Sequence, residues 1–140
     1  MPIVGFNFTK IYAEKKNSIK KDTEIKINSR LGIINLEKEL LPTGKTKAEG
    51  LKLDFELLLE YLPKIASIEI KGFIYFIDDQ NIIKDLLKGW EKNKSIPVDI
   101  QQQVLNSVIL KATIKALELE QEINIPPHIP FPSIKPAKKQ

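Results

Sequence analysis

Cysteine is absent from this chain of 140 residues, and histidine and arginine occur once each, as His128 and Arg30. The absence of cysteine excludes a disulfide scaffold, a thiolate zinc site and a thiol nucleophile. The neighbours of His128 are Pro127 and Ile129, which supply no catalytic or metal-binding partner, so a surface or tail-packing role is expected.

A glycine-rich phosphate loop is also missing. The letters Gly44-Lys45-Thr46 occur, but without the upstream glycine and the following core helix that the motif requires. The chain therefore shows no nucleophile and base, metal set or nucleotide motif that would indicate catalysis. An enzyme is the least expected class, and neither a cofactor nor a metal is expected.

Long apolar runs are missing as well. No N-terminal stretch resembles the apolar region of a secretory signal, and no run approaches the roughly 18 residues of a membrane span. A cytoplasmic protein without membrane insertion is the default expectation. The length fits one domain, taken as residues 1–134, followed by a short basic end at 135–140. The net charge of +4 allows polyanion binding without requiring it.

Four segments show the alternation of apolar and polar residues that is typical of strands. They are residues 3–15, 23–36, 51–62 and 65–77. A helix is the alternative for the third segment, but strict alternation over about ten residues favours a strand. Gly32 and the two isoleucines after it break the alternation and predict a bulge. Residues 16–22 are predicted to form a basic loop, and residues 37–50 a flexible crossing loop.

Two helices are predicted after the strands, because apolar residues there recur at helical spacing. The first begins at Asp78 or Asp79, which can serve as its N-cap, and ends near residue 93. The second begins between residues 95 and 99 and continues to about Ile123. A proline-rich tail, expected to be extended, follows at 124–134. The predicted class is therefore α+β, with a four-stranded antiparallel sheet, two C-terminal helices on one of its faces, and the tail.

The last helix carries apolar residues on more than one side. One heptad-like seam consists of Leu105, Ile109, Ala112, Ala116 and Leu119, and a second stripe of Leu110, Ile114 and Leu117. One side can cover the sheet, and the other has to meet the first helix or another subunit. The seam is therefore predicted to be an oligomer interface. The glutamates at 118, 120 and 122 are predicted to lie on the solvent side.

Some apolar residues fall on strand faces that should contact water, namely Leu58, Phe73 and Tyr75. On the first strand, Val4, Phe6 and Phe8 are spaced two apart and are expected to share one face. One interpretation is that the tail or a second subunit covers these residues. The other is a groove for extended apolar polypeptide, with Phe6, Phe8, Leu58, Phe73 and Tyr75 as the client-binding residues.

The order of these elements resembles the SecB family of export chaperones, and archaeal SecB-like proteins more closely. The segments that carry the resemblance are 4–11, 70–73, 110–119 and the proline-containing 124–132. The resemblance implies an ATP-independent chaperone, a holdase, that forms dimers or tetramers and binds non-native polypeptides in apolar grooves, with the crossing loop 37–50 framing the groove. Bacterial SecB is acidic and docks on the SecA motor, whereas this chain is basic, so a link to protein export does not carry over directly.

The lysines at positions 10, 15, 16, 20, 21 and 26 cluster around the first connection between strands. A solvated loop explains them, and a surface for phosphates is the alternative. The competing function is a basic accessory protein of the ribosome or another RNA assembly, whose affinity would fall steeply with salt. A structural assembly partner whose tail docks on another protein is a third hypothesis.

Overall fold

The computed structural model describes residues 3–43 and 46–130 of the chain, without the side chains of residues 42–43 and 46–48. Its elements are β1 (Ile3–Lys15), β2 (Lys26–Thr43), β3 (Thr46–Leu62), β4 (Ala66–Phe76), α1 (Gln80–Asn93) and α2 (Val98–Glu122). The predicted class is confirmed: four antiparallel strands precede two helices. Gly44, Lys45 and residues 131–140 lie outside the described part, so the domain division at residue 134 stays a prediction.

The strands form one sheet in the order β1-β4-β3-β2, and every neighbouring pair is antiparallel. Because β1 and β2 occupy opposite edges, the connection between them has to cross the end of the sheet. Residues 16–25 make this crossing over the β3–β4 turn. The backbone N–H groups of Lys16 and Asn17 donate to the carbonyl of Ile65 at 2.7 and 3.2 Å, and the Asn17 amide donates to the Lys64 carbonyl at 2.6 Å.

The prediction of a crossing loop at 37–50 is wrong. Strands β2 and β3 stay paired from Lys26 opposite Leu62 to Thr43 opposite Thr46, so residues 37–43 and 46–50 belong to two long paired strands. Their charged residues face one another across the two strands, with ion pairs between Lys38 and Glu49 at 3.0 Å and between Lys52 and Glu37 at 3.8 Å. A solvent-facing hairpin and a loop can have the same charged composition, and the pairing across strands that distinguishes them is not visible in the sequence.

The bulge predicted after Gly32 is confirmed. The register of β2 against β3 shifts between Ile33 and Asn35, so that Ile34 has no partner on β3 and is exposed. The start of α1 is also where the sequence places it, since Gln80 is its first residue. The Asp79 side chain, however, makes no capping hydrogen bond. The start of α1 was therefore predictable because the strand alternation ends at Phe76, and an N-cap hydrogen bond is not what fixes it.

The core lies between the sheet and the helices, which both pack on the same face. Alternate residues of β3 and β4 are buried there: Leu51, Leu53, Phe55, Leu57, Leu59, Tyr61, Ile68, Ile70, Ile74 and Phe76. The helices add Ile83, Leu86 and Trp90 from α1 and Val104, Val108, Ala112 and Ala116 from α2. The intervening residues of β3 and β4 occupy the opposite face, which the described helices leave uncovered.

Candidate functional site

The five side chains predicted to contact clients are divided between the two faces of the sheet. Phe6 and Phe8 lie on the helix-covered face, where they pack against the core. Leu58, Phe73 and Tyr75 lie on the uncovered face, since they alternate with buried residues of β3 and β4. Leu58 stands apart, opposite Arg30 of β2, whereas the four aromatic residues lie along the pairing of β1 with β4.

A bulge at Gly5 determines which face each residue of β1 occupies. Gly5 has a φ of +74°, and the register shifts between Val4, which is opposite Tyr75, and Phe6, which is opposite Ile74. Such a bulge adds one residue and moves the next side chain to the other face. The expectation that Val4 shares a face with the phenylalanines is therefore wrong. Glycine fits here because a residue with a Cβ rarely adopts this φ.

Apolar side chains from both faces consequently meet where β1 starts and β4 ends. We call this region the β1 corner and define it by Ile3, Val4, Phe6, Phe73 and Tyr75. On the uncovered face, the Phe73 and Tyr75 rings lie 5.3 Å apart between centroids. Val4 beside them is 41% exposed. The corner therefore presents apolar surface at an edge strand, with no described element covering its uncovered face.

Lysine side chains lie against the aromatic rings of the corner. The Lys52 ammonium is 4.6 Å from the centroid of the Phe73 ring, and Lys111 is 4.6 Å from that of Phe6. Such contacts contribute about 0.5–1 kcal/mol at exposed sites. The aliphatic stems of lysines also cover apolar surface while leaving the charge in water.

Beyond the corner, an ion-pair ladder crosses all four strands of the uncovered face. Lys10 and Glu69 approach to 2.9 Å, Glu69 and Lys71 to 3.2 Å, Lys71 and Glu56 to 3.6 Å, and Glu56 and Arg30 to 3.6 Å. Hydrogen bonds from Lys10 and then Lys71 lower the pKa of Glu69, and the bond to Glu69 raises the pKa of Lys71. The ladder, with three cations and two carboxylates, forms a charged border to the apolar corner.

On the helix-covered face, the corner contains a cleft of 340 Å³ between β1 and α2. We call it the Phe6 cleft, and its lining residues are Ile3, Gly5, Phe6, Ile74, Ser107 and Lys111. The Phe6 ring lies 5.0 Å from Phe8 and 5.2 Å from Phe55, centroid to centroid, so it is held by an aromatic cluster. Phe6 is thus both part of the core and part of an open cleft.

Part of the predicted oligomer interface on α2 is buried within the subunit. Ala112 and Ala116 have no exposed surface because they pack against the sheet, so a second copy cannot reach them in this arrangement. Leu105 and Leu119 are partly buried, and Ile109 is 49% exposed. The alanines therefore allow close approach of the helix to its own sheet. Apart from Val98 at the start of α2, its exposed large apolar residues are Ile109, Leu110 and Ile114.

The end of α2 holds a buried polar cluster that the sequence did not predict. Glu120 is 1% exposed, which contradicts its expected place on the solvent side. Its carboxylate accepts hydrogen bonds from the Tyr61 hydroxyl and from the backbone N–H of His128 at 2.8 Å, and lies 2.9 Å from the His128 ring. Burial and the Glu120 carboxylate raise the pKa of Tyr61. Through these hydrogen bonds the tail at His128 is held against α2 and β3.

A sequence signal for Glu120 did exist. It is the fifth member of a series at every fourth position, after Val104, Val108, Ala112 and Ala116, and all five are buried. Residues four apart share one face of a helix. The tail-packing role expected for His128 agrees with this cluster, since its side chain is only 8% exposed.

The described residues contain no helix that is long and apolar enough to cross a membrane. Within residues 3–43 and 46–130, no group of three or more histidines, aspartates and glutamates is placed to hold a metal ion. The clustered lysines are partly engaged: Lys10 pairs with Glu69, and the Lys15 ammonium donates to the Asn124 carbonyl at 3.3 Å.

Comparison with known proteins shows the fold. A Mycobacterium tuberculosis SecB-like chaperone, Rv1957, solved in complex with a ChAD peptide from the Rv1956 HigA1 antitoxin, superposes with a TM-score of 0.54 over 96% of this chain and 91% of that chain. This chain has the SecB-like fold. The sequences share 9% identity, so the likeness extends to the fold alone. No protein-family model and no curated protein matches the sequence.

Proposed function

We propose that this chain is a chaperone that binds non-native polypeptides without ATP, and that its client site is the β1 corner. The observation that carries the proposal is the meeting of apolar side chains from both faces of the sheet at one exposed edge. Val4, Phe73 and Tyr75 lie on one face and the Phe6 cleft on the other. The peptide bound by the SecB-like neighbour supports polypeptide as the ligand class.

An edge strand suits this task because an added strand satisfies its free backbone groups. Among the described residues, β1 pairs with β4 on one side only, so its other side can accept an extended segment. Side chains of such a segment alternate between the faces of the sheet, and can therefore reach Phe73 and Tyr75 as well as the Phe6 cleft. Burying about 200 Å² of apolar surface would contribute about 5 kcal/mol before ordering costs.

The test is suppression of aggregation. An unfolded model protein is diluted from denaturant with this chain, without ATP, at low and high salt. We expect suppression at near-stoichiometric amounts that persists in high salt, because apolar burial is not screened as charge interactions are. The double variant Phe73→Ser/Tyr75→Ser should need about tenfold more protein for the same effect.

A matched control removes two exposed apolar side chains elsewhere, in the variant Leu40→Ser/Val98→Ser. These residues are 57% and 69% exposed and lie outside the β1 corner. Equal loss of activity in both double variants would refute the corner as the site. Wild-type protein that fails to suppress aggregation at any salt concentration would refute the holdase function itself.

Self-association is a second part of the proposal. The outer side of α2 presents three neighbouring apolar side chains, Ile109, Leu110 and Ile114, which are 49%, 65% and 49% exposed. Contiguous exposed apolar surface is typical of protein–protein interfaces. We expect dimers or tetramers of the 16.0 kDa chain in light scattering after size exclusion. Leu110→Ser/Ile114→Ser should shift the mass towards the monomer. A wild-type mass of 16 kDa at every concentration would contradict this part.

A further inference from the structure

We infer that the Phe6 cleft selects client segments in which an apolar side chain is accompanied by a carboxylate. The inference rests on the proposed function and deepens it, because it assigns a chemical class to the clients. The occupant is an extended acidic-apolar peptide segment. The apolar side chain contacts Phe6, Ile3 and Ile74, and the carboxylate binds the Lys111 ammonium at the mouth of the cleft.

The charge of the cleft supports this assignment. Lys111 is the one charged residue among those that line it, and no carboxylate of the described residues lies within ion-pairing distance of its ammonium. Lys52, the lysine on the other face of the corner, already pairs with Glu37 at 3.8 Å. The Lys111 ammonium instead lies over the Phe6 ring, and its three N–H donors remain available to a ligand.

Ser107 completes the polar side of the cleft. Its hydroxyl donates to the carbonyl of Val104 at 2.6 Å, so its hydrogen is used within α2. The remaining lone pairs of the Ser107 oxygen can accept a hydrogen bond, as from a peptide N–H. Lys111 thus offers a site for an anion and Ser107 a site for a donor, one helical turn apart and above an apolar floor. A basic client segment would be repelled by the Lys111 ammonium and would form no ion pair in the cleft.

The geometry of an extended segment sets the spacing of the two client groups. Residues two apart lie on the same face of a strand, about 6.6 Å from each other. A carboxylate two residues from the apolar side chain is therefore within reach of the flexible Lys111 side chain. The contact lies at the protein surface, so its contribution is that of an exposed ion pair and decreases with salt.

The probes are three fluorescein-labelled peptides with one leucine and either glutamate, glutamine or lysine two residues to each side of it. Their affinities are measured by fluorescence anisotropy at low salt. We expect the glutamate peptide to bind about two- to fivefold more tightly than the glutamine peptide, and the lysine peptide most weakly. Lys111→Gln should abolish the preference, Lys111→Glu should reverse it, and Lys111→Arg should retain it.

Lys84→Gln is the matched control, because it removes the same charge from an exposed position on α1. It should leave the preference unchanged. Equal affinities of the three peptides for the wild-type chain, or equal effects of Lys84→Gln and Lys111→Gln, would overturn the charge selectivity. If aggregation is suppressed but no peptide binds, the cleft is not the site and the holdase function stands. If neither occurs, both proposals are overturned.

Discussion

Replacing Glu120 with alanine should destabilise the fold more than any other substitution of a glutamate in the described part of the chain. Among the described side chains of residues 3–43 and 46–130, Glu120 is the one buried charged residue, with 1% of its surface exposed. Its carboxylate holds Tyr61 on β3 and both the backbone and the ring of His128. The substitution removes an acceptor shared by three groups and leaves a void between α2, β3 and the tail.

The size of the effect follows from what each group loses. The Tyr61 hydroxyl keeps a second acceptor in the carbonyl of Pro126, so it is not left without a partner. The backbone N–H of His128 loses its acceptor, and an unsatisfied buried donor costs about 1–3 kcal/mol. The deleted side chain also leaves a void, as in large-to-small core substitutions, so the total cost is about 3–5 kcal/mol. For a chain of this size, that corresponds to a melting temperature lower by roughly 10–15 °C.

Urea denaturation followed by circular dichroism measures the effect, and Glu118→Ala is the matched control. Glu118 lies two residues away, and its side chain is 56% exposed and paired with Lys115 at 2.8 Å. Its removal should change the free energy of unfolding by no more than about 0.5 kcal/mol. Glu120→Ala should also increase hydrogen exchange at the amide of His128. Equal destabilisation by the two variants, with unchanged exchange at His128, would refute the buried cluster.

Two further predictions concern the sheet. Gly72→Ala should destabilise the fold by about 1–3 kcal/mol, because its Cβ would lie 2.1 Å from the Asn7 carbonyl and 2.6 Å from the Phe55 ring. Gly32→Ala meets nothing within 4 Å and should be nearly neutral in the same denaturation experiment; equal costs would contradict the close packing. The lowered pKa of Glu69 implies stability that is present above its ordinary pKa of 4.5 and is lost as the pH falls through the folded-state pKa. Glu69→Gln should therefore flatten the acid limb of stability against pH, and an unchanged limb would show that the ladder contributes nothing.

The alternation of apolar residues was sufficient to predict most of the sheet. In β4 it is uninterrupted from Ala66 to Phe76, and every second residue is buried. The prediction was wrong at 37–50, because charged residues in a long hairpin and in a loop look alike until their partners are known. Pairing of Lys38 with Glu49 is a contact between strands, and no local pattern in either strand specifies it.

The sequence predicted which residue types form the candidate site, but it did not predict how they are arranged on the sheet. The aromatic residues of β1 and β4 do converge on one corner, whereas Leu58 lies elsewhere, opposite Arg30. The bulge at Gly5 accounts for the division between faces, since a single inserted residue moves Phe6 to the side opposite Val4. Whether the corner binds clients stays a prediction.

The sequence by itself determined the order and type of the elements, because strand and helix periodicities are local properties of the chain. Only the tertiary structure decided which side of α2 is buried, since several of its sides are apolar and the sheet accepts the one with Ala112 and Ala116. It also decided the hydrogen-bond partners of Glu120, since Tyr61 and His128 come from other parts of the fold. A buried carboxylate is stable only where distant segments bring donors to it, and that condition cannot be read from its neighbours in sequence.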